Sequence, residues 1–195
     1  MSNTRKLQVN EHALVGDILK QAFFDDPVHN WAFGSKEITE RLFSTMAKHL
    51  YLTKGFGYTT DDQNGTCLWL TPDSDRNVPI YKEIGLASTI IKFGGLKALY
   101  RGLTLDYTMK KHRPSIPHYY LFALGTKPDA QGKGIGGKLM REALRHVDEA
   151  KMPAYLESSK EENVPIYRHY GFEVIDCIQP TKSSPKMWLM WRDAK

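Results

Sequence analysis

His118-Tyr119-Tyr120-Leu121-Phe122-Ala123-Leu124-Gly125 is followed at once by Thr126-Lys127-Pro128-Asp129-Ala130 and then by Gln131-Gly132-Lys133-Gly134-Ile135-Gly136-Gly137. The first eight residues are a near-continuous apolar run, which predicts a strand covered on both faces. The last seven carry glycine at 132, 134, 136 and 137. Beyond them, Ile135, Leu139, Ala143, Leu144 and Val147 recur at helical spacing, so residues 134–150 read as an amphipathic helix. Glycines lack the Cβ atoms that would keep a ligand off the backbone. Successive N–H groups can then point into one space, reinforced by the positive end of the helix. Such a loop suits an anion, and a pyrophosphate best of all.

Two familiar phosphate loops are excluded. Gly132, Gly134 and Gly137 satisfy G-x-G-x-x-G, and Glu157 follows twenty positions later, as in a dinucleotide fold. Yet six residues, Thr126 to Gln131, separate strand from glycines, and only 58 residues follow Gly137, too few for a second half. A nucleoside triphosphate loop needs Gly-Lys-[Ser/Thr], whereas Lys133 precedes Gly134 and Lys138 precedes Leu139.

Working outward, residues 154–157 predict a strand, 163–170 a short helix, and 172–178 and 186–191 two closing strands. The C-terminal half is then β-α-β-α-β-β. Upstream, Leu7 and Val9 suggest a short opening strand, and Asn10 caps a helix built on Leu14, Ile18, Leu19 and Ala22, which ends at Asp25-Asp26-Pro27. A second helix spans 37–52, Gly55-Phe56-Gly57 breaks it, and strands 57–60 and 66–70 flank a turn at Asp62-Gln63-Asn64-Gly65. Residues 79–112 are helical with a break near Gly94-Gly95, in the manner of a lid or substrate wall. The fold class expected is α/β, a mixed sheet with helices on both faces, in one domain. Residues 1–117 would form an acceptor-binding part and 118–195 a ligand-binding core.

Composition sets the outer bounds. The chain has 195 residues, 41% hydrophobic and 25% charged, with Lys+Arg 27 against Asp+Glu 22, a net charge of +5. That is an ordinary globular profile with a mild preference for anionic ligands. No dense basic run argues for nucleic acid; Lys110, Lys111 and Arg113 come nearest. The longest apolar run, Tyr119 to Leu124, is far short of the ~20 residues of a membrane helix. The start shows no secretion signal, and two distant cysteines, Cys67 and Cys177, read as thiols of a reduced, cytoplasmic chain. No Cys-x-x-Cys, His-x-His or His-x-x-x-His spacing suggests a metal site.

At this point the chain resembles the GNAT superfamily of acyl-CoA-dependent N-acyltransferases. The resemblance rests on Gln131-x-x-Gly134-x-Gly136 after a buried strand, on Thr126-Lys127-Pro128-Asp129 between them, and on Asn163 and Tyr167 before Gly171-Phe172. Leu156-Glu157-Ser158-Ser159 with Asn163-x-Pro165-x-Tyr167 is most similar to puromycin N-acetyltransferase and related small-molecule enzymes. The resemblance implies the GNAT-like acyl-CoA N-acyltransferase fold and acetyl-CoA as co-substrate, with no metal. It implies that the amides of Gly132, Lys133, Gly134, Ile135, Gly136 and Gly137 hold the pyrophosphate, framed by Gln131. The pantetheine arm would pair with Leu124, Gly125 and Thr126, with Asn163 bonding to it as well, although a helix N-cap explains an asparagine there equally. A glycine in a strand marks close approach by a ligand or another backbone, or a bulge, so Gly125 alone leaves the choice open.

The reaction asks for a deprotonated amine, a donor to the developing oxyanion and an acid for the leaving thiolate. The resemblance gives the second role to a backbone N–H, here that of Leu124, and the third to Tyr167, which without the resemblance reads as an aromatic packed on the helix face. Glu157 is the candidate base, sharing a strand face with Tyr155 and Ser159; an edge carboxylate in a salt bridge is the other reading of it. His118 is a lesser candidate base. Tyr170 either lines the pocket or packs. Asp25 and Asp26 read as loop residues, with charge that could attract a cationic amine. Trp31, Phe33, Tyr81 and Tyr107 could wall a substrate. The expected activity is acetyl transfer to a small-molecule primary amine in a ternary complex, with homodimer formation possible. The rival is a catalytically silent acyl-CoA sensor or partner-binding module.

Overall fold

The computed structural model describes residues 3–74 and 80–195, with side chains from residue 84 onward in the second stretch. Seven strands form one sheet in the order β1-β2-β3-β4-β5-β7-β6. They are β1 (Thr4–Lys6), β2 (Gly55–Thr60), β3 (Gly65–Leu70), β4 (Tyr119–Thr126), β5 (Ala154–Ser158), β6 (Glu173–Ile178) and β7 (Met187–Arg192). All neighbours pair antiparallel except β4 and β5, which run parallel. The helices are α1 (His12–Ala22), α2 (Pro27–Ala32), α3 (Lys36–Met46), α4 (Leu52–Lys54), α5 (Ile80–His112), α6 (Ile135–Glu149) and α7 (Val164–His169).

The sheet is buried on both sides, as the apolar run at 118–125 requires. On one face α1 and α3 lay Val15, Leu19 and Phe43 over Leu68, Leu70, Tyr120, Tyr155 and Leu189. On the other, α6 sets Ile135, Leu139, Ala143 and Val147 against Trp69, Leu121 and Leu156, and α7 adds Val164 beside Phe172. α5 packs outside α2 and α3, joining Ile90 and Ala98 to Ile38. Its kink falls at Gly95, whose φ of 71° suits a residue without Cβ. Pro79, where the sequence reading began this helix, lies outside the described residues.

Several boundaries differ from those read from sequence. The opening strand is Thr4–Lys6 rather than Leu7 and Val9, and Asn10 lies in a 3-10 turn, Val9–Glu11, closed by a Gln8–Glu11 capping box. The helical run stops at Lys54, as the glycines suggested, but Gly55 and Gly57 themselves already belong to β2. A Cβ on Gly55 would meet the Trp69 carbonyl oxygen at 2.1 Å, and one on Gly57 the Cys67 oxygen at 2.8 Å. These glycines therefore serve close strand pairing. The helix of 37–52 ends its α turns at Met46 and widens into a π-helix at Ala47–Tyr51. A separate helix, α2, starts at Pro27, because Pro27 is an excellent first helical residue and Asp26 caps it by accepting the His29 N–H at 2.9 Å.

β4 carries the fold's decisive irregularity. Leu68 faces Ala123 but Trp69 faces Leu121, so Phe122 is the extra residue of a β-bulge. Bulges bend a strand and end regular pairing. The parallel ladder to β5 covers Tyr119↔Ala154, Tyr120↔Tyr155 and Leu121↔Leu156 and stops there. Past that point the two strands diverge.

Gly125 sits just beyond, and its missing Cβ has a packing cause. A Cβ there would lie 2.7 Å from Ala22 Cβ and 2.8 Å from Leu19 Cδ2, so α1 is what approaches this strand closely. Gly125→Ala should overpack this contact and lower stability in urea unfolding by about 1–3 kcal/mol. An unchanged midpoint would contradict the seating of α1 on β4.

Candidate active site

The divergence of β4 and β5 opens a cavity of about 570 Å3. Its walls come from the β4 segment 121–126, the β5 end 156–160, the loop and first turn of α6, the α1–α2 corner and α7. Of the residues singled out in the sequence, Leu124, Gly125, Thr126, Gln131, Gly132, Gly134, Ile135, Gly136, Gly137, Glu157, Asn163 and Tyr167 all line it. Lys133 does not: its Nζ turns back to donate to the Asp129 carbonyl at 2.9 Å. Only its backbone can face a ligand.

The glycine loop has the form of an anion cradle. Gly132 and Gly134 both take φ of 75°, the left-handed region, and each has open space where a Cβ would stand. Gly134 is the N-cap of α6 and no side chain caps that helix. The first-turn amides of Ile135, Gly136 and Gly137 have no acceptor within the helix, so they remain for a ligand. A Cβ on Gly137 would meet the Tyr170 hydroxyl at 2.8 Å. Tyr170 thus packs on the loop as well as lining the cavity, and Arg141 Nη1 reaches its oxygen at 3.5 Å.

Tyr167 projects from α7 with its ring edge-to-face on Phe172, centroids 6.2 Å apart. Burial, helped by the negative charge of Asp26, pushes its pKa up to about 12. The hydroxyl therefore keeps its proton across the neutral range. Asn163 stands at the N-cap position of α7, but its side chain caps nothing. The capping explanation of this asparagine fails, and its amide is left lining the cavity.

Glu157 is nearly sealed, its side chain 3% exposed. It accepts a hydrogen bond from the Tyr120 hydroxyl at 2.5 Å and faces Arg113 Nη2 at 3.4 Å. Arg113, just past α5, also stacks its guanidinium 4.3 Å above the Tyr120 ring. Burial pushes the Tyr120 phenol far up, and the Glu157 charge adds to that. The two sequence readings of this glutamate are thus combined: it is a salt-bridged carboxylate that nonetheless borders the cavity. His118, the lesser candidate, is buried between Tyr155 and Trp191, with Nδ1 at the Ile116 oxygen, and does not line the cavity.

The sequence reading undervalued Asp26. It is 3% exposed and lines the cavity rather than lying in a solvated loop. Ser159, on the face it shares with Glu157, donates its hydroxyl to Asp26 Oδ2. Beside it, Lys160 pairs with the exposed Asp25 at 2.9 Å, so the α1–α2 corner is tied twice to the end of β5. Burial works to raise the pKa of Asp26, but the hydrogen bond and electrostatic attraction of His29, with the Ser159 hydroxyl, outweigh it and hold the carboxyl below its ordinary range. An aspartate directly before a proline is an N-cap signal, and that signal was present in the sequence. Among the described residues, α5 contributes none to the cavity wall. Phe33 and Trp31 pack away from it, Tyr107 points to solvent, and the Tyr81 side chain lies outside the described residues. No group of metal-ligating side chains occurs among the described residues.

Residues 88–174 match the acetyltransferase (GNAT) domain family. An uncharacterised N-acetyltransferase of Schizosaccharomyces pombe is 25% identical, the match covering 94% of this chain and 79% of the relative. A Corynebacterium glutamicum structure described as histone acetyltransferase HPA2 and related acetyltransferase superposes with a TM-score of 0.74 at 20% identity, over 100% of this chain and 97% of the other. Arylalkylamine N-acetyltransferase 2 of Aedes aegypti gives a TM-score of 0.65 at 15% identity, over 100% and 99%.

The Arg113–Glu157 pair carries a prediction for stability. Arg113→Met leaves a buried carboxylate without its cation and should cost roughly 3 kcal/mol, much of it recovered when Glu157→Gln is added. A double variant as unstable as the sum of the two singles would show that the pair is not coupled.

Proposed function

We propose that this chain, which has the fold of the GNAT acyl-CoA N-acyltransferases, transfers an acetyl group from acetyl-CoA to the primary amine of a small molecule in a ternary complex. One observation carries the reading above the others. The only parallel ladder among the described residues opens, after Leu121↔Leu156, directly onto an uncapped helix N-terminus approached through open, left-handed glycines. A slot for an extended arm and a cradle for its phosphates adjoin in one cavity.

The residues divide the work as follows. The amides of 132–137 bind the pyrophosphate, Gln131 stands at the entrance, and the free edge of β4 at Leu124, Gly125 and Thr126 pairs with the pantetheine arm, with Asn163 bonding to it from α7. An amide of this edge, at Leu124, donates to the oxygen that becomes the oxyanion as the amine attacks. Tyr167 then gives its proton to the departing sulfur. Glu157 takes the proton that the amine must lose, directly or through water. The run Leu156-Glu157-Ser158-Ser159 with Asn163-x-Pro165-x-Tyr167, which we read as resembling puromycin N-acetyltransferase, favours a small-molecule acceptor, and we assign the chain to the cytoplasm. Residues 1–117 form the acceptor side of a single domain and 118–195 the coenzyme side.

Two variants test this assignment. Gly134→Asp puts a carboxylate and a strained φ where the phosphates belong; it should abolish acetyl-CoA binding in calorimetric titration while circular dichroism stays native. Unaltered affinity would remove the loop from the site. Tyr167→Phe should lower kcat by roughly 10²-fold and leave the coenzyme affinity unchanged.

The raised pKa of Tyr167 also sets a pH dependence. A phenol at about 12 in the folded chain, against about 10 unfolded, stays protonated through the assay range. Its stabilising effect is complete below pH ~10 and is lost as pH rises through the folded value. The wild-type kcat should therefore show no falling alkaline limb below pH ~10 attributable to this residue. A limb centred near pH 8–9 that disappears in Tyr167→Phe would contradict the raised pKa of this phenol.

A further inference from the structure

Three charged side chains border the cavity: Asp26, Glu157 and Lys160. Two have full counter-ions in the protein, Glu157 in Arg113 and Lys160 in Asp25. Asp26 differs. Its donors are the His29 backbone N–H, the Ser159 hydroxyl and, 3.4 Å away, His29 Nδ1. The imidazole is a counter-ion only when protonated. Its Nε2 is buried with no hydrogen-bond partner, and the ring stacks on Phe43 with Phe23 and Phe33 at its edges.

Buried charges in proteins are ordinarily paired. Here a carboxylate 3% exposed stands on a cavity wall with no lysine or arginine within ion-pair distance among the described residues. It is also held in place from two sides, since α2 supplies the His29 amide and β5 the Ser159 hydroxyl. Two oxygens with about four acceptor sites leave room for one more donor. A primary alkylamine, like the lysine side chain, is an ammonium at neutral pH.

We infer that Asp26 is the seat of the acceptor's positive charge: the cavity admits its amine as an ammonium ion, and Asp26 is the carboxylate of the cavity wall that no lysine or arginine pairs with among the described residues. This rests on the amine-acceptor reading and adds the specificity-determining residue to it. Glu157, already paired, is then the later proton acceptor rather than the binding charge. Phe23 and Phe122 supply apolar wall beside Asp26, so the acceptor that fits is a cationic amine on an apolar body.

The test uses the whole chain and two probes of nearly the same shape, 2-phenylethylammonium and the neutral 2-phenylethanol, titrated calorimetrically with and without coenzyme A. Wild type should bind the cation roughly tenfold more tightly than the alcohol or better. Asp26→Asn, which can still cap α2 and accept from Ser159, should bring that ratio below roughly threefold. Asp25→Asn, removing the same charge from the exposed neighbour, should leave it unchanged. A wild-type ratio near one, or a preference that survives Asp26→Asn, overturns the inference; the wild-type arm decides even if the variant folds poorly. Titration with acetyl-CoA runs separately. Failure there sinks the transferase reading, while the probe ratio in coenzyme-free protein still reports on Asp26.

Discussion

The extra residue at Phe122 is the constraint on which the rest of the molecule depends. Up to Leu121, β4 and β5 share a regular parallel ladder; beyond it they part, and β4 stays bound only to β3. A sheet split in this way exposes backbone polar groups, which must be satisfied by a partner when water is excluded. The protein keeps the split open from both faces. α6 packs Ile135 and Leu139 beneath it, and α1 presses Leu19 and Ala22 onto Gly125 above it. The α1–α2 corner then bridges to the far strand through Asp26–Ser159 and Asp25–Lys160. A ligand arm with amide groups of its own is the natural occupant of such an edge.

Charge is organised around the same split. At one end the uncapped α6 offers amides and a positive dipole to an anion. At the other, the acidic side chains Asp26, from the α1–α2 corner, and Glu157, from β5, border the cavity. Between them Tyr167 is held neutral by burial and by Asp26, and so retains a proton to give. On the function proposed above, this polarity would separate an anionic co-substrate from a cationic acceptor along one cleft and orient both.

Much of this was legible in the sequence, for reasons particular to each element. The apolar run at 118–125, the four glycines and the stripe of 135–147 are local signals whose physics needs no tertiary knowledge, and they located one wall of the cavity. Position 125 was ambiguous because a strand glycine can serve a ligand, a bulge or a neighbour, and only the packed structure shows Ala22 and Leu19 against it. Asp26 was misread because its burial depends on Ser159, 133 residues away in sequence. Arg113 was counted as part of a surface basic cluster, although its partner Glu157 lies 44 residues on. Long-range polar pairs of this kind leave no periodic trace, whereas the aspartate–proline cap of α2 did leave one. The mixed α/β sheet with helices on both faces was read correctly; the lid expected of 79–112 contributes no cavity wall among the described residues.

The most direct test of the account is hydrogen–deuterium exchange of the backbone amides with and without acetyl-CoA. If the split strand and the glycine loop form one binding groove, the amides of 122–126 and 132–137 should gain protection together on adding acetyl-CoA, while the β6–β7 hairpin stays unchanged. Protection confined to other surfaces, or none at saturating acetyl-CoA, would contradict the account and return the glycine loop to a structural role.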